Sequence, residues 1–254
     1  MANRSQLQRL TITPSQRQGE QIRLTSEQEH YLLRVLRLGK GDRFIALLTG
    51  EGEAWIAEIT QEGAILTQPL AGSGELPVAV SLMVALPKGN GFEEIVRCCT
   101  ELGVVQFIPV ISDRTLLKPS VQKVTRWRKI AQEAAEQSER LIIPTLLDPL
   151  PLNAALSQLD LTAKLSYWAL ARGANEHLLH HLIHNPSSQS TPEIILATGP
   201  EGGWTASEVT QAREKGFQVI SLGERILRAV TAPIVAVSLL AAWSEQGKNQ
   251  SPNP

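Results

Sequence analysis

The feature that most restricts the fold of this chain is an alternation of strand-like and helix-like segments that runs from about residue 78 to residue 245. Short apolar runs are each followed by a segment of helical length. Such alternation is typical of a parallel sheet covered by helices on both faces. The predicted strands are 78–86, 104–110, 163–170, 193–198 and 218–221, and the predicted helices are 91–102, 121–140, 152–159, 176–184, 206–215 and 231–245.

The first 72 residues follow a different pattern, which predicts a small β-rich domain. Short strand patterns at 43–48, 53–61 and 64–68 are separated by glycine-containing turns, and an amphipathic helix over 26–38 is predicted to end at Gly39. Residues 71–77 are the best linker candidate because they combine glycine, serine and proline. We therefore predict domains at 1–72 and 78–246, with 247–254 as a disordered tail.

Composition excludes several classes of protein. With 254 residues, 43% of them hydrophobic, the chain is long enough to bury a core. Its two cysteines, Cys98 and Cys99, are adjacent, so neither a disulfide framework nor a zinc finger is indicated. The first residues are polar and no apolar run approaches the ~20 residues of a membrane span, so we expect a cytoplasmic protein without membrane contact.

Charge is nearly balanced overall but not locally. The formal net charge is −1, which does not indicate a strongly basic nucleic-acid binder. Residues 1–40 nevertheless carry seven arginines and lysines against three glutamates, and residues 114–140 have the same balance. Positive segments of this kind suit a phosphate backbone, although solvated helix faces produce the same pattern.

Two glycine-containing loops follow the last two predicted strands, and they are the best candidates for a binding site. The first is Gly199-Pro200-Glu201-Gly202-Gly203, and the second runs from Leu222 through Arg228 to Ala232. Ligands bind at the carboxyl ends of parallel strands, so the two loops are predicted to line one pocket. Thr205 and Glu208 form a capping-box pattern that starts the helix after the first loop. Taken alone, the glycines are equally compatible with tight turns.

Other known site patterns are weaker. No phosphate-loop or dinucleotide glycine motif is present, and no serine lies in a Gly-x-Ser-x-Gly elbow. Four histidines between His177 and His184 share one helical face, but only Glu176 accompanies them as a carboxylate, so we expect no metal site. The role of this histidine helix stays open.

Several motifs, in order along the chain, resemble one family. They are His30-Tyr31-Leu32-Leu33-Arg34-Val35-Leu36-Arg37, Leu86-Pro87-Lys88, Thr100-Glu101-Leu102-Gly103, Ser112-Asp113-Arg114, the segment from Glu133 to Arg140, and the two glycine loops. Each is weak alone, but together they resemble the RsmE family of 16S rRNA uridine-N3 methyltransferases in the SPOUT (α/β-knot) superfamily. Many members carry a lysine where this chain has Cys98, so no role of that lysine is transferred.

The resemblance implies a fold and partners that the residue patterns alone do not give. It implies an α/β fold with a C-terminal trefoil-knot (SPOUT) methyltransferase domain and a small β-rich, PUA-like N-terminal domain. It further implies S-adenosyl-L-methionine as cofactor, 16S rRNA of the small ribosomal subunit as substrate, and a homodimer. A knot would be an exception to the general rule that chains do not thread loops.

The resemblance also implies roles for particular residues. Arg228 is the candidate for stabilising negative charge on the uracil, and Glu201 is a candidate catalytic carboxylate that equally suits a bracing role. In the second loop, Arg225 and Arg228 are the charged residues expected to take part in the chemistry. The cofactor-binding candidates are Leu170, Thr198, Gly199, Glu201, Gly202, Gly203, Leu222, Gly223, Ile226, Leu227, Thr231 and Ala232. The RNA-binding candidates are Arg9, His30, Arg34, Arg37, Lys88, Arg114 and Arg140.

Two alternative functions stay open at this point. One is a related SPOUT enzyme that methylates a ribose 2′-hydroxyl or a tRNA base, and the other is a non-catalytic RNA-binding factor of ribosome assembly. The target nucleotide, the general base, and the choice between naked RNA and an assembled subunit are not given by the sequence.

Overall fold

The computed structural model describes residues 7–49, 53–70, 74–162, 164–184 and 193–246. The predicted tail, 247–254, lies outside these residues. The chain forms two compact units, one of Met1–Glu75 with Ala135–Ile143 and the other of Leu76–Ala134 with Pro144–Pro254. The sequence had placed residues 135–143 in the second domain. They join the first because Arg140 ion-pairs with Glu75, and Leu141 packs with the strand residues Ile45 and Leu47.

A six-stranded sheet forms the first unit. Its strands are β1 (Arg9–Ile12), β2 (Arg17–Gln18), β3 (Gln21–Ile22), β4 (Arg43–Leu48), β5 (Glu53–Ile59) and β6 (Ala64–Pro69). They lie in the order β1-β4-β5-β6-β3-β2, with β1 parallel to β4 and the other pairs antiparallel. Strands β4 to β6 were predicted from the sequence, whereas β1 to β3 were not.

The helix predicted over 26–38 is shorter and irregular. An α-helix, α1 (Ser26–Glu29), begins at a capping box between Thr25 and Gln28 and continues as a π-helical segment, His30–Val35. The Leu36 N–H donates to the Tyr31 carbonyl, a longer hydrogen-bonded turn than in an α-helix. Arg37, with φ +58°, adopts the left-handed conformation at its end, so the prediction that Gly39 ends the helix is wrong.

The second unit is built on a seven-stranded sheet in which all pairs are parallel. The strand order is β10-β8-β7-β12-β11-β13, with β9 paired to β8. The strands are β7 (Ala79–Ala85), β8 (Val104–Ile111), β9 (Thr145–Leu146), β10 (Leu150–Pro151), β11 (Lys164–Ala169), β12 (Glu193–Thr198) and β13 (Gln218–Ile220). The predicted parallel sheet is confirmed, and the two-residue strands β9 and β10 were not anticipated.

Helices cover both faces of this sheet. They are α2 (Gly91–Glu101), α3 (Val121–Gln137), α4 (Leu152–Gln158), α5 (Leu178–His184), α6 (Ala206–Lys215) and α7 (Thr231–Glu245). In β7, Val80, Leu82 and Val84 pack in a core with residues of α2, α3, α5 and α7, whereas Met83 and Ala85 face a second core with residues of α4 and α6. This division follows from the alternation of side chains along a strand.

Helix α3 ends earlier than the predicted residue 140. Glu139 has φ +62°, and the Arg140 N–H donates to the Ala135 carbonyl at 3.0 Å. The threading of a trefoil knot remains a prediction, because strand order does not define it. None of the described helices is long and apolar enough to cross a membrane.

Candidate active site

The two glycine loops meet at a cavity of about 500 Å³ at the carboxyl ends of β11, β12 and β13. Most of its walls are aliphatic or backbone, and the charged side chains Glu201, Arg225 and Arg228 are exposed at its edge. The lining residues are Ala169, Leu170, Ala171, Thr198, Gly199, Pro200, Glu201, Gly203, Trp204, Leu222, Gly223, Arg225, Ile226, Leu227, Arg228, Ala229, Val230 and Ala232. This is the position at which parallel α/β sheets bind ligands.

The first loop is held in place by the helix that follows it. Thr205 caps α6, and Glu208 completes the predicted capping box by accepting the Thr205 N–H at 2.7 Å. Glu208 is only 3% exposed, and its other carboxylate oxygen accepts the Asp113 N–H at 2.9 Å. The capping box is therefore confirmed, and one buried carboxylate joins the start of α6 to the segment after β8.

Two hydrogen bonds to residues of other segments hold residues 199–203 in place. Glu201 accepts the Lys88 backbone N–H at 2.9 Å, and Arg114 donates from Nη1 to the Gly202 carbonyl at 2.6 Å. A Cβ on Gly202 would lie 3.1 Å from Arg114 Cδ, so the close approach favours glycine there. Glu201 and Arg114 thus have positioning contacts in this structure.

The second loop turns sharply after β13. Gly223 has φ +113°, a conformation that favours glycine, and its N–H donates to Ser221 Oγ at 3.0 Å. Arg225 and Arg228 are both exposed, and neither makes an ion pair with any residue that the structure describes. Their guanidinium groups are therefore available to a ligand.

Two polar side chains lie buried at the inner wall of the cavity. Thr198 is fully buried and Trp204 is 8% exposed. Within the described part of the chain, neither Thr198 Oγ1 nor Trp204 Nε1 has a hydrogen-bond partner. The Trp204 ring packs on Trp168 with centroids 4.2 Å apart, and it lies directly against Gly199, where a Cβ would be 3.1 Å from Nε1.

Most predicted cofactor-binding residues lie together at this cavity, and two do not line it. Gly202 faces Arg114, and Thr231 is exposed as the first residue of α7. Several wall residues were not among the predicted cofactor-binding residues, and Trp204 is the largest of them: Ala169, Ala171, Pro200, Trp204, Ala229 and Val230. Their only sequence signal was position, since each lies next to a predicted residue.

The predicted RNA-binding residues of the first unit divide into exposed and engaged groups. His30 and Arg34 are exposed, whereas Arg9 makes an ion pair with Glu139 at 2.9 Å and its side chain is 15% exposed. Arg140 is 1% exposed and is bound to Glu75 at 2.5 Å. This corrects the expectation that Arg140 contacts RNA, because its guanidinium is buried against a carboxylate. In the second unit, Lys88 and Arg114 are exposed.

Comparison with known proteins gives the family. A family model described as an RNA methyltransferase domain matches residues 74–241, and one described as an RNA methyltransferase PUA domain matches residues 24–66. The "Ribosomal RNA small subunit methyltransferase E" of Synechocystis sp. is 45% identical over 239 residues, which cover 93% of this chain and 78% of that protein. The chain belongs to the RsmE family of RNA methyltransferases.

Solved structures agree with this family. A ribosomal RNA small subunit methyltransferase E from Neisseria gonorrhoeae, bound to S-adenosyl methionine, has a TM-score of 0.79 and 28% identity, covering 93% of this chain and 97% of that one. A Legionella pneumophila protein in complex with the bound cofactor SAM has a TM-score of 0.78 and 27% identity, covering 93% and 98%. The predicted resemblance and the PUA-like N-terminal domain are confirmed.

Membership of the RsmE family favours an rRNA methyltransferase over the two alternatives weighed from the sequence. The described residues include no cluster of three or more histidine, cysteine, aspartate or glutamate side chains suited to a metal ion. Cys98 is partly buried on α2 and does not line the cavity.

Proposed function

We propose that this protein transfers a methyl group from S-adenosylmethionine to N3 of a uridine in 16S rRNA of the small ribosomal subunit. The observation that carries the proposal is the cavity formed by the two glycine loops at the carboxyl ends of β11, β12 and β13. Relatives of the same family bear the name of small-subunit rRNA methyltransferases, and two similar structures hold the methyl donor.

The cavity suits S-adenosylmethionine in its volume and in the placement of its apolar and charged groups. Its volume of about 500 Å³ is in the usual range for small-molecule sites. A Cβ on Gly203 or Gly223 would meet nothing within 4 Å, so these glycines leave open space that a side chain would occupy. Aliphatic walls suit the purine, and the exposed Glu201, Arg225 and Arg228 suit a charged amino-acid portion, because isolated charges are costly to bury.

Bound S-adenosylmethionine supplies an electrophilic methyl group on a sulfonium centre. The protein's own contribution is to position the acceptor and to stabilise the charge that develops on it. Uracil N3 carries a proton in its neutral form, so the base becomes more negative as the proton leaves. Arg228 is exposed at the cavity edge without an ion-pair partner among the described residues, and it is our candidate for stabilising that negative charge.

Glu201 acts mainly as a positioning residue in this proposal. Its Oε1 accepts the Lys88 N–H, which fixes the first loop to the segment that follows β7. Thr231 begins α7, and the Ala232 N–H donates to the Arg228 carbonyl at 3.0 Å, so the start of this helix holds the backbone of Arg228. The cavity walls therefore come from segments that are far apart in sequence.

The rRNA substrate requires cationic surfaces, which we assign to each unit separately. In the first unit the candidates are the exposed His30, Arg34 and Arg37, whereas Arg9 is engaged by Glu139, and in the second unit the candidates are Lys88 and Arg114. Phosphate contacts of this kind position the RNA but do not specify its sequence. We further propose a homodimer and, because the substrate is the small ribosomal subunit, a cytoplasmic location.

Donor binding and base identity test the proposed function. Calorimetry should show binding of S-adenosylmethionine, and small subunits incubated with labelled donor should yield 3-methyluridine on nucleoside mass spectrometry. A 2′-O-methylated nucleoside would instead support the ribose-methylating alternative. A protein that bound RNA but not the donor would contradict the enzymatic proposal.

Arg228 has its own test. Arg228→Ala should lower kcat by about 10²–10³-fold, the usual effect of removing one group that stabilises developing negative charge. Arg213→Ala is the control, because Arg213 is exposed on α6 and does not line the cavity. Unchanged methylation by Arg228→Ala would exclude the proposed role.

A salt series tests the basic surface of the first unit. Arg34→Ala/Arg37→Ala should weaken RNA binding and reduce the slope of log K against log salt by about 0.7 for each lost phosphate contact. An unchanged slope would place the RNA elsewhere.

A further inference from the structure

A second cavity, of about 670 Å³, adjoins the proposed donor cavity. The two cavities share Ala171, Gly223 and Ile226, which therefore lie at their boundary. The remaining walls of the second cavity are polar and come from the segment between β11 and α5 and from the turn after β13: Arg172, Gly173, Asn175, His177, Ser221 and Glu224. None of these six was among the catalytic, cofactor-binding or RNA-binding residues predicted from the sequence, although Glu224 lies in the second glycine loop and His177 belongs to the histidine cluster.

The backbone of this second cavity is well fixed. The Ser221 N–H donates to the Glu176 carbonyl at 2.8 Å, and the Leu178 N–H donates to the Ser221 carbonyl at 3.0 Å. The turn before them is closed by a hydrogen bond from Asn175 Nδ2 to the Arg172 carbonyl at 3.3 Å. Gly173, with φ +107°, permits this turn. The cavity walls are therefore preorganised next to the donor cavity.

The polar groups on these walls are mainly hydrogen-bond donors. His177 Nδ1 accepts the Leu179 N–H at 3.2 Å, so the neutral imidazole carries its proton on Nε2. Asn175 Nδ2 has a second hydrogen beyond the one given to Arg172. The Arg172 guanidinium is exposed and makes no ion pair among the described residues.

Ile226 adds an apolar surface at the boundary of the two cavities. Ile226 is 61% exposed and lines both cavities. A large exposed aliphatic side chain beside a polar cavity suits the apolar face of a nucleobase.

We propose that this second cavity holds the target pyrimidine nucleotide of the RNA beside the methyl donor. This inference rests on the proposed function and names the residues that receive its acceptor. Uracil presents two carbonyl oxygens, which accept from His177 Nε2–H and Asn175 Nδ2–H. Arg172 contacts the phosphate, whereas the Glu224 carboxylate on the same wall disfavours a phosphate near it. The face of the base rests on Ile226.

The first test separates acceptor binding from donor binding. Arg172→Ala should raise KM for unmethylated small subunits about ten- to a hundredfold, as expected for the loss of one charged hydrogen bond. The Kd for S-adenosylmethionine and the melting temperature should stay within experimental error of the wild type. Arg213→Ala, on the exposed face of α6, is the matched control and should change neither constant.

His177 is tested by a substitution that keeps its structural role. His177→Asn retains an acceptor for the Leu179 N–H but removes the Nε2–H donor, so KM for the subunit should rise while the melting temperature is unchanged. His180→Asn is the control, because His180 is exposed on α5 and does not line either cavity. If Arg172→Ala and His177→Asn both keep the wild-type KM, the inference is wrong.

A photochemical test locates the base directly. Small subunits assembled with rRNA that contains 4-thiouridine are mixed with the protein and S-adenosylhomocysteine, irradiated, and digested for mass spectrometry. Crosslinks at residues 171–177 or 221–226 are expected. Crosslinks confined to other segments would overturn the assignment even if methylation proceeds normally. A wild-type protein that transfers no methyl group would instead contradict the proposed function itself.

Discussion

Arg114 Nη1 lies 2.6 Å from the carbonyl oxygen of Gly202, to which it donates a hydrogen bond. An arginine that the sequence places on an RNA-binding surface therefore supports the backbone of the first glycine loop. Gly202 leaves room for this contact, as a Cβ would approach the Arg114 side chain to 3.1 Å. It connects the segment after β8 to the wall of the proposed donor cavity.

Removing this contact should weaken donor binding. We expect Arg114→Ala to reduce the affinity for S-adenosylmethionine about fivefold, because an exposed hydrogen bond of this kind contributes ~1 kcal/mol. Isothermal titration calorimetry measures the change. Arg126→Ala is the matched control, since Arg126 is an exposed arginine that pairs with Glu93 at 3.1 Å. If Arg114→Ala changes only RNA affinity and its salt slope, Arg114 acts on phosphate and not on the loop.

Local sequence patterns predicted the features that depend on neighbouring residues. The helix start at Thr205 and Glu208 is an example, because both partners of the capping box lie three residues apart. The strands β7, β8, β11, β12 and β13 were also predicted, since each contains a short apolar run, and most residues of β7, β8, β11 and β12 are buried. The two cavity loops then follow from the ends of these strands.

Features that depend on distant residues were missed. Strands β2 and β3 contain two residues each, and they exist because β3 pairs with β6 more than forty residues later. Arg140 looked like a surface cation because its partner Glu75 lies 65 residues earlier. The second cavity combines Arg172 with Glu224, whose proximity depends on β11 pairing with β13.

The ion pair between Arg140 and Glu75 should be important for stability and not for RNA contact. Arg140 is 1% exposed, and Glu75 also accepts the backbone N–H groups of Leu141 and Ile142 at 3.0 Å. Arg140→Ala should lower the free energy of unfolding by about 3–5 kcal/mol, because it leaves a buried carboxylate without its cation. Chemical denaturation measures this change.

A double substitution separates the charge effect from lost packing. Arg140→Met with Glu75→Gln should be less destabilising than Arg140→Ala, because no unpaired charge is left in the interior. At temperatures where Arg140→Met/Glu75→Gln stays folded, RNA affinity should match the wild type. A large loss of RNA affinity by this folded variant would restore Arg140 as an RNA contact.

Glu208 should matter more for stability than an ordinary capping residue. Thr205→Ala removes one cap and should cost ~1 kcal/mol. Glu208→Ala removes the buried carboxylate that accepts two backbone N–H groups, those of Thr205 and Asp113, and should cost about 2–4 kcal/mol in free energy of unfolding, since two hydrogen bonds to a charged acceptor are lost. Ser207→Ala, at an exposed position of the same helix turn, is the control. Equal costs for Thr205→Ala and Glu208→Ala would show that the bond to Asp113 contributes nothing.

Cys98 should react slowly at neutral pH although it is only partly buried. Burial raises the pKa of its thiol above that of an exposed cysteine, and the neighbouring carboxylate of Glu101 raises it further. Because only the thiolate reacts, a raised pKa means less thiolate at pH 7–8 and a rate that continues to rise at higher pH. We expect the rate of reaction with a disulfide reagent in a Cys99→Ser variant to be lower than that of an exposed reference, Ser207→Cys in a cysteine-free background.

A charge substitution tests the cause of this behaviour. Glu101→Gln should shift the rate–pH profile of Cys98 to lower pH, because it removes a negative charge that disfavours the thiolate. Arg97→Gln should shift the profile in the opposite direction, since Arg97 lowers the same pKa. If the parent protein, the Glu101→Gln variant and the Arg97→Gln variant have the same rate–pH profile, burial alone raises the pKa of the Cys98 thiol. Cys98 would then be insensitive to the charges of α2.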